Sequence, residues 1–333
     1  MGPVHAPGFT RLLAVALLVA EHSRAMTPDQ WAGSARVEEV DLKKPGAMER
    51  VKAWDQSKDG PLLIKNWQMG KKMKSFRRTK EFKAALAKNA AGRSMKTKSL
   101  TIPAKISQQP WFSYFDESRW WLGKKNGRTG TAGTKKENAR IWHDFETKTV
   151  TIQNLFENFA REEAPYMYWT ASPMAAFSTY DPRPEVCEQL AHSAGEERCL
   201  EPTRMEAEAR FNEGAESVWA NSAGVRAQAH FDRNDNINIH IKGEKRWTMW
   251  GPHQLDDLCF YPYTHPSDRQ VQADLGEGIG GHCPSAANLH NRTVVVKTGD
   301  VLLIPAYYPH RVETLSAAIN YNVWCVPAFS IVI

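Results

Sequence analysis

The chain contains few cysteines, and it lacks the closely spaced cysteine pairs that often bind metals. Five cysteines are spread over 333 residues, and no two of them form a C-x-x-C motif. This absence argues against a zinc site and against a thioredoxin-type redox centre. The sequence also shows no internal repeat and no low-complexity tract. With 42% hydrophobic residues and 12 tryptophans, it is expected to fold as a globular protein.

Long apolar segments are also missing. The apolar run over residues 12–20 has nine residues, well short of the ~20 that a membrane-spanning helix needs, so we expect no transmembrane span. Arg11 precedes this run, and the small residues Ser23 and Ala25 follow it. The pattern predicts a secretory signal peptide over residues 1–25 and a lumenal or secreted protein, with an organellar transit peptide as the alternative.

Four of the five cysteines are placed to form two disulfides. Cys187 and Cys199 lie twelve residues apart in a polar loop, and Cys259 and Cys283 flank a second irregular stretch. Cys325 stands in an apolar, strand-like run and is predicted to be a core residue. This cysteine usage is compatible with an oxidising compartment but does not prove one.

Basic residues are concentrated in one part of the chain. Residues 41–140 contain 25 Lys and Arg against 8 Asp and Glu, a net charge of +17, whereas the whole chain carries +6. Five tryptophans are interspersed there: Trp54, Trp67, Trp111, Trp120 and Trp121. Such a region can bind nucleic acid or an acidic partner, and it can equally be the solvated face of a helical layer. We predict a basic, mixed α/β N-terminal region over residues 26–140 that packs on a core over residues 141–333.

Local patterns predict a few helices in the first half of the chain. Residues 60–65 have the composition of a turn that leads into a short strand. Residues 81–91 are alanine-rich with a helical pattern, and residues 151–162 predict a short helix that begins at a threonine cap. Residues 127–136 have the composition of a flexible loop.

From about residue 165 onwards the sequence predicts strands. Residues 236–241 alternate with period two, and we expect residues 242–244 to turn the chain so that residues 245–250 run back as a hairpin. Further short strands are predicted over residues 294–296, 301–304 and 318–326. Many short strands separated by turn residues favour a double-sheet jelly roll.

The triplet His230-Phe231-Asp232 and the distant His310 offer two imidazoles and one carboxylate. This ligand set holds a non-haem Fe(II) on one face and leaves the opposite face open for O2 and a co-substrate. On a strand, the side chains of residues i and i+2 point the same way, so His230 and Asp232 can bind one ion while Phe231 faces away. An H-x-D triplet alone is far more often an ordinary polar strand end, so the hypothesis needs further support.

Linked motifs follow the triplet in a fixed order. They are Asn236, then Lys242-Gly243-Glu244-Lys245-Arg246-Trp247, then residues 299–305, His310 and Asn322-Val323-Trp324. In this order the chain resembles the JmjC-type cupin hydroxylases that use Fe(II) and 2-oxoglutarate, most closely the small factor-inhibiting-HIF-type hydroxylases. The resemblance implies a mainly β fold with helical additions, a double-stranded β-helix (jelly roll) as the catalytic core. It is strong over residues 225–325, weak over residues 60–224 and absent before them.

The resemblance assigns roles to individual residues. It implies that His230, Asp232 and His310 ligate the iron and that Lys245 neutralises the distal carboxylate of 2-oxoglutarate. The chemistry independently needs such a lysine, because a dianion that chelates the metal through one end requires a fixed cation at the other.

Other matched positions are less decisive. Asn236 and Asn322 match family positions that hydrogen-bond near the iron-bound end of the co-substrate, although each could be only a satisfied polar core residue. A tyrosine of an upstream strand also contacts the distal carboxylate in this family, and Tyr168 or Tyr166 could serve.

Ala227 departs from the family pattern. Relatives often have a Thr or Ser at this position, whose hydroxyl touches the co-substrate. The departure leaves three alternatives: weaker 2-oxoglutarate binding, a contact shifted to Gln228, or a different acid as co-substrate.

The function that the resemblance implies is an Fe(II)- and 2-oxoglutarate-dependent oxygenase that consumes O2 and hydroxylates a protein or peptide side chain. An N-methyl demethylase with the same chemistry is the nearest alternative. A degenerate cupin that binds nucleic acid or an acidic partner through the basic region is a second, and a non-oxygenase cupin with another divalent ion is a third. Relatives of this size often form homodimers, and the sequence leaves the oligomeric state open.

Overall fold

The computed structural model describes most of the chain outside its termini and several internal segments. The described residues are 36–55, 59–91, 100–112, 145–159, 161, 163–171, 176–177, 180–190, 216–261, 269–271 and 283–325. The predicted signal peptide, the predicted loop over residues 127–136, Trp120, Trp121 and Cys199 lie outside them. None of the helices in the described ranges is both long enough and apolar enough to cross a membrane.

The described residues form twelve strands and five α-helices. The strands are β1 (Glu38–Asp41), β2 (Leu62–Lys65), β3 (Thr101–Ser107), β4 (Trp111–Phe112), β5 (Phe145–Thr151), β6 (Tyr166–Ala171), β7 (Glu216–Asn221), β8 (Arg226–His230), β9 (Asp235–Trp250), β10 (Asn291–Lys297), β11 (Val301–Ile304) and β12 (His310–Cys325). The helices are α1 (Ala47–Lys52), α2 (Lys71–Ser75), α3 (Thr79–Ala91), α4 (Ile152–Phe159) and α5 (Arg183–Leu190). Short 3-10 helices span Pro252–Gln254, Asp256–Leu258 and Pro284–Asn288.

Two long antiparallel strands, β9 and β12, organise the fold. The first half of β9 and the second half of β12 lie in a large sheet of order β1-β2-β11-β9-β12-β7-β6-β3-β5. Their other halves also pair with each other and pair in addition with β10 and β8, and β8 pairs with β4. Each long strand therefore passes from one sheet to the other. This arrangement confirms the predicted mainly β jelly roll with helical additions.

Three local predictions from the sequence agree with the structure. The predicted short strand is β2, and the alanine-rich segment forms α3. Helix α4 begins directly after Thr151, whose side-chain oxygen accepts a hydrogen bond from the backbone N–H of Asn154 at 3.0 Å. This hydrogen bond is the predicted threonine cap.

The predicted hairpin at residues 242–244 is wrong. Strand β9 runs without reversal through these residues. Gly243 adopts a left-handed φ of 84° and lies against the backbone of Ala317, and the pairing with β12 shifts register between Ser316 and Ile319. A glycine in this conformation produces a bulge that bends the strand into the second sheet, where a turn would have reversed it.

Replacement of this glycine gives a direct test of the bend. We expect Gly243→Ala to lower the free energy of unfolding by roughly 2–4 kcal/mol, because left-handed strain combines with overlap of the new Cβ with the Ala317 carbonyl. Gly46 is the matched control, since it has a similar φ of 75° but nothing within 4 Å of an added Cβ. Urea denaturation of both variants measures the difference. Equal decreases in the free energy of unfolding for Gly243→Ala and Gly46→Ala would mean that the close contact of Gly243 with Ala317 contributes nothing to the effect.

Apolar side chains pack in two main layers that β9 separates. Ile237, Ile239 and Ile241 belong to the cluster beneath the helices. Trp247 and Met249 belong to a second cluster, which draws residues from β2, β10, β11 and β12 and therefore lies between the sheets. Since strand side chains alternate, the polar residues interleaved with the isoleucines face the barrel interior.

Strands on both sides of residue 140 share the large sheet. Strand β2 pairs with β11, and β3 pairs with β5 and β6. The predicted division at residue 140 stays a prediction. Within the basic region, Trp54 and Trp67 are core residues with 4% and 3% exposure. In α2, Met73 is buried, whereas the three lysines are solvent-exposed.

The cysteines follow the predicted pairing where the structure describes them. Cys259 and Cys283 form a disulfide. Cys187 is also disulfide-bonded, but its predicted partner lies outside the described residues. Cys325 is fully buried in β12, as predicted for a core residue.

Candidate metal and co-substrate site

Three predicted ligands converge at one end of the barrel. Strand β8 ends at His230, β12 begins at His310, and these two residues are direct partners in the sheet. Asp232 follows β8 by two residues. One potential ligand atom from each of the three side chains lies within 4.8 Å of the others, and the two imidazole rings are 4.4 Å apart. The strand pairing thus brings together side chains that are far apart in sequence.

Backbone carbonyls orient both imidazoles. The Nδ1 atom of His230 lies 2.7 Å from the carbonyl oxygen of Gln228, and the Nδ1 atom of His310 lies 2.9 Å from that of Tyr308. Because a carbonyl oxygen only accepts, each Nδ1 carries the proton. The Nε2 lone pairs are therefore available to a metal, which is the usual arrangement of metal-binding histidines.

Two side chains hold the carboxylate of Asp232. Its Oδ2 atom accepts hydrogen bonds from Asn236 Nδ2 and Trp324 Nε1, each at 3.1 Å. Arg269 approaches the other carboxylate oxygen, Oδ1, at 3.7 Å. These contacts leave the carboxylate little freedom to rotate and so set the direction in which it offers a lone pair.

The charge states of His230 and Asp232 suit a divalent metal. Burial and the neighbouring His310 lower the pKa of His230 to about 4, so its imidazole is neutral near pH 7. Burial acts to raise the pKa of Asp232, but His310, His230 and Arg269 together lower it. A neutral imidazole and an ionised carboxylate are the forms that bind metals. The donor set of two nitrogens and one oxygen therefore fits Fe(II).

Lys245 lies inside the barrel as a buried cation. Its side chain is held by two amides: Nζ donates to Asn221 Oδ1 at 2.6 Å and to Asn320 Oδ1 at 2.5 Å. Burial lowers its pKa to about 7, and among the described residues no carboxylate pairs with it. A buried ammonium group that has only neutral partners favours the binding of an anion.

A chain of amide hydrogen bonds connects this lysine to the metal ligands. From Asn320, which accepts from Lys245, Nδ2 donates to Asn322 Oδ1 at 2.7 Å. Asn322 in turn donates to Asn236 Oδ1 at 2.7 Å, and Asn236 donates to Asp232. The residue opposite Lys245 on β12 is four positions from His310, roughly 13 Å along the strand. The cation and the triad therefore belong to one polar site.

The predicted co-substrate contacts are placed unequally. Asn236 and Asn322 lie between the triad and Lys245, and they hydrogen-bond to each other. Tyr168 is directly opposite Asn221 in the sheet and stacks on Phe112 with ring centroids 5.3 Å apart. Of the two predicted tyrosines, Tyr168 is therefore the one in register with a partner of Lys245. Its contact with a co-substrate stays a prediction.

Tyr166, Ala227 and Gln228 contact residues other than Lys245 and its amide partners. The ring of Tyr166 lies against Gly224. Ala227 is opposite Val312, and the side-chain amide of Gln228 donates to the carbonyl of Val271 at 3.0 Å. A contact of Gln228 with the co-substrate stays a prediction.

Sequence reasoning missed four residues of this site. Asn221 and Asn320 hold Lys245, Trp324 holds Asp232, and His240 lies on the same strand face as Asn236. A signal was present in residues 236–241, where polar residues alternate with isoleucines. In a strand whose isoleucines are core residues, that alternation indicates a second, polar face that is also buried.

The buried lysine predicts a pH dependence of stability. Its pKa is about 7 in the folded chain against 10.5 in the unfolded chain, so the unfolded chain binds more protons between these values. Stability therefore increases as pH rises, by roughly 3–4 kcal/mol between pH 7 and about pH 10. Urea denaturation of the wild type across this range should show the rise, and Lys245→Met should flatten it. The exposed Lys297→Met serves as the control, and a flattening of the same size in it would contradict the assignment.

Comparison with known proteins supplies the family context. A family described as "Cupin-like domain" matches residues 49–330. Curated relatives include "Lysine-specific demethylase JMJ30" of Arabidopsis thaliana, 26% identical over 109 residues, which are 32% of this chain and 25% of that protein. "tRNA wybutosine-synthesizing protein 5" of Gallus gallus is 28% identical over 104 residues, 31% of each chain. "HSPB1-associated protein 1 homolog" of Danio rerio is 25% identical over 118 residues, 32% of this chain and 25% of that protein. The similarity covers about a quarter to a third of the relatives' lengths.

Proposed function

This chain belongs to the family of proteins with a Cupin-like, JmjC-type domain, and from this premise we propose that it is an Fe(II)- and 2-oxoglutarate-dependent oxygenase. The observation that carries the proposal is the two-part site in the barrel. His230, Asp232 and His310 form a metal-binding triad, and Lys245 forms a separate buried cation connected to it by amides. A dianion that chelates a metal needs both parts.

The residues of the chain have distinct tasks in this proposal. The two Nε2 atoms and the Asp232 carboxylate hold Fe(II) from one side, while Lys245 binds the distal carboxylate of 2-oxoglutarate. When bound, iron and 2-oxoglutarate together activate O2 and oxidise a substrate C–H bond, with release of succinate and CO2. Trp247 packs beside His310 with ring centroids 5.3 Å apart, and this apolar wall keeps water away from the reacting atoms.

A protein or peptide is the substrate class that we propose, with hydroxylation of a side chain as the reaction. The relative named a lysine-specific demethylase supports oxidation of a protein substrate and keeps N-methyl demethylation as the second candidate. Both reactions begin with oxidation of a C–H bond. The relative named for wybutosine synthesis in tRNA makes RNA a substrate class that the experiment must include.

A succinate-release assay tests the proposed function. The full chain is incubated with Fe(II), 2-oxoglutarate and peptide or RNA pools, and products are analysed by mass spectrometry. We expect succinate formation that requires iron and O2, with a gain of one oxygen atom for hydroxylation or loss of a methyl group for demethylation. Failure of the wild-type chain to bind or consume 2-oxoglutarate in every pool would overturn the proposal. Turnover of another compound without O2 would favour the non-oxygenase cupin.

A binding role for the basic region stays an alternative to this chemistry. Lys71, Lys72 and Lys74 of α2 are exposed, whereas Trp54 and Trp67 are buried and cannot stack on bases. Salt-dependent RNA or DNA binding that survives Asp232→Ala, with no 2-oxoglutarate turnover in the wild type, would favour the binding-module alternative.

A further inference from the structure

His240 is a fully buried histidine whose ring the proposed chemistry does not yet use. Its exposure is 0%, and among the described residues neither ring nitrogen has a hydrogen-bond partner. The carbonyl of Gly243 is near the ring but does not make a hydrogen bond of normal geometry with it. Buried polar atoms nearly always have a partner. A fully buried ring with two unpaired nitrogens therefore indicates that a ligand belongs beside it.

The position of His240 in the sheet identifies the neighbourhood of that ligand. His240 is directly opposite Asn320 on β12, and such cross-strand neighbours have Cβ atoms about 4.5–5.5 Å apart on the same face. Asn320 accepts a hydrogen bond from Lys245. The imidazole therefore lies beside the lysine that the proposed function assigns to 2-oxoglutarate.

The unused groups around Lys245 are mainly donors. Its ammonium group has three N–H bonds, of which two are directed at Asn221 and Asn320. The Nδ2 of Asn221 has no hydrogen-bond partner among the described residues. Burial and the charge of Lys245 lower the pKa of His240 to about 3, so the neutral ring supplies one N–H. The charge of Lys245, its remaining N–H, the two N–H bonds of Asn221 Nδ2 and the one of His240 together match a carboxylate.

We infer that His240 is a co-substrate-binding residue that donates a hydrogen bond to the distal carboxylate of 2-oxoglutarate, next to Lys245 and Asn221. This inference rests on the proposed function and adds His240, which precedes Lys245 on β9, to the residues that bind 2-oxoglutarate. The imidazole N–H supplies a hydrogen-bond donor, which the methyl side chain of Ala227 does not. His240 thereby contributes, together with Lys245, to the preference for acids that carry a second carboxylate.

Paired ligands separate this role from a structural one. Calorimetry is performed on the full chain with Mn(II) in place of Fe(II), so that no turnover occurs, using 2-oxoglutarate and 2-oxobutyrate, which lacks the distal carboxylate. For His240→Leu we expect the Kd of 2-oxoglutarate to increase about 10- to 100-fold, because a hydrogen bond to a charged group is lost. The Kd of 2-oxobutyrate should not change. His240→Gln, which keeps an N–H donor, should bind both acids nearly as the wild type does.

Controls make each outcome decisive. His253→Leu replaces an exposed histidine and should leave both dissociation constants unchanged, and thermal melting checks that every variant is folded. Unchanged 2-oxoglutarate binding by folded His240→Leu would overturn the inference alone, as would equal weakening of both acids. Absence of 2-oxoglutarate binding by the wild type would overturn the proposed function and this inference together. If His240→Leu does not fold, the His240→Gln variant provides the test. A loss of its preference for 2-oxoglutarate over 2-oxobutyrate would contradict the N–H donor role.

Discussion

Asp232→Ala is expected to abolish 2-oxoglutarate turnover, with a decrease of at least about a thousandfold in the rate of succinate formation. The carboxylate is the one anionic ligand of the triad, and its removal also leaves Asn236 and Trp324 without their acceptor. The variant should therefore lose most of its bound metal. Metal content of the purified protein and succinate formation measure the two losses separately.

An exposed carboxylate provides the control for this variant. Asp256 lies on the surface in a 3-10 helix, and Asp256→Ala should keep wild-type metal content and turnover. Turnover by Asp232→Ala that is comparable to that of the control would contradict the assignment of the triad. Loss of metal without loss of turnover would have the same consequence.

The triad could be predicted because its geometry follows from short-range rules. An H-x-D spacing places two ligands together at a strand end, and the third ligand needed only one strand pairing, between β8 and β12, to join them. The linked motifs from Asn236 to Trp324 indicated that pairing only through the family resemblance, which joins His310 to the other two ligands. The large sheet and the jelly-roll class were equally accessible, since alternating apolar residues and turn signals recur along the second half of the chain.

The path of β9 could not be predicted from local sequence. A glycine between two strand-like segments is compatible with a turn and with a bulge. Which of the two forms depends on the strands that pair with the segments before and after the glycine. Here β12 continues past Gly243 and pairs with both halves of β9. The bend carries Lys245 into the barrel interior without reversing the chain. The sequence therefore misplaced the strand that presents this lysine, whose role stays a prediction.

The partners of Lys245 were missed for a related reason. Asn221, Asn320 and His240 are separated by many residues in sequence and become neighbours only through the registers of β7, β9 and β12. Each is a polar residue buried in its strand, which alone does not distinguish a satisfied core residue from a binding residue. The hydrogen bonds of the folded chain add what the sequence lacks, because they show which donors of the described residues are used and which are not.

Lys245→Met is expected to separate co-substrate binding from metal binding. The variant should raise the Kd of 2-oxoglutarate at least about a hundredfold, because the buried cation that neutralises the distal carboxylate is lost. Its metal content should stay at the wild-type level, since His230, Asp232 and His310 are unchanged. Calorimetry with the Mn(II)-loaded protein measures the first quantity, and elemental analysis measures the second.

Lys242→Met on the same strand is the matched control for this variant. The Nζ of Lys242 donates to Thr79 at 2.8 Å, outside the barrel interior, so its removal should affect neither measurement. The two variants of the site then have opposite signatures: Asp232→Ala loses metal, and Lys245→Met keeps metal but loses 2-oxoglutarate. If Lys245→Met bound 2-oxoglutarate as the wild type does, the lysine would be a structural partner of Asn221 and Asn320 alone. If it lost metal as well, the amide chain from Lys245 to Asp232 would couple the two halves of the site.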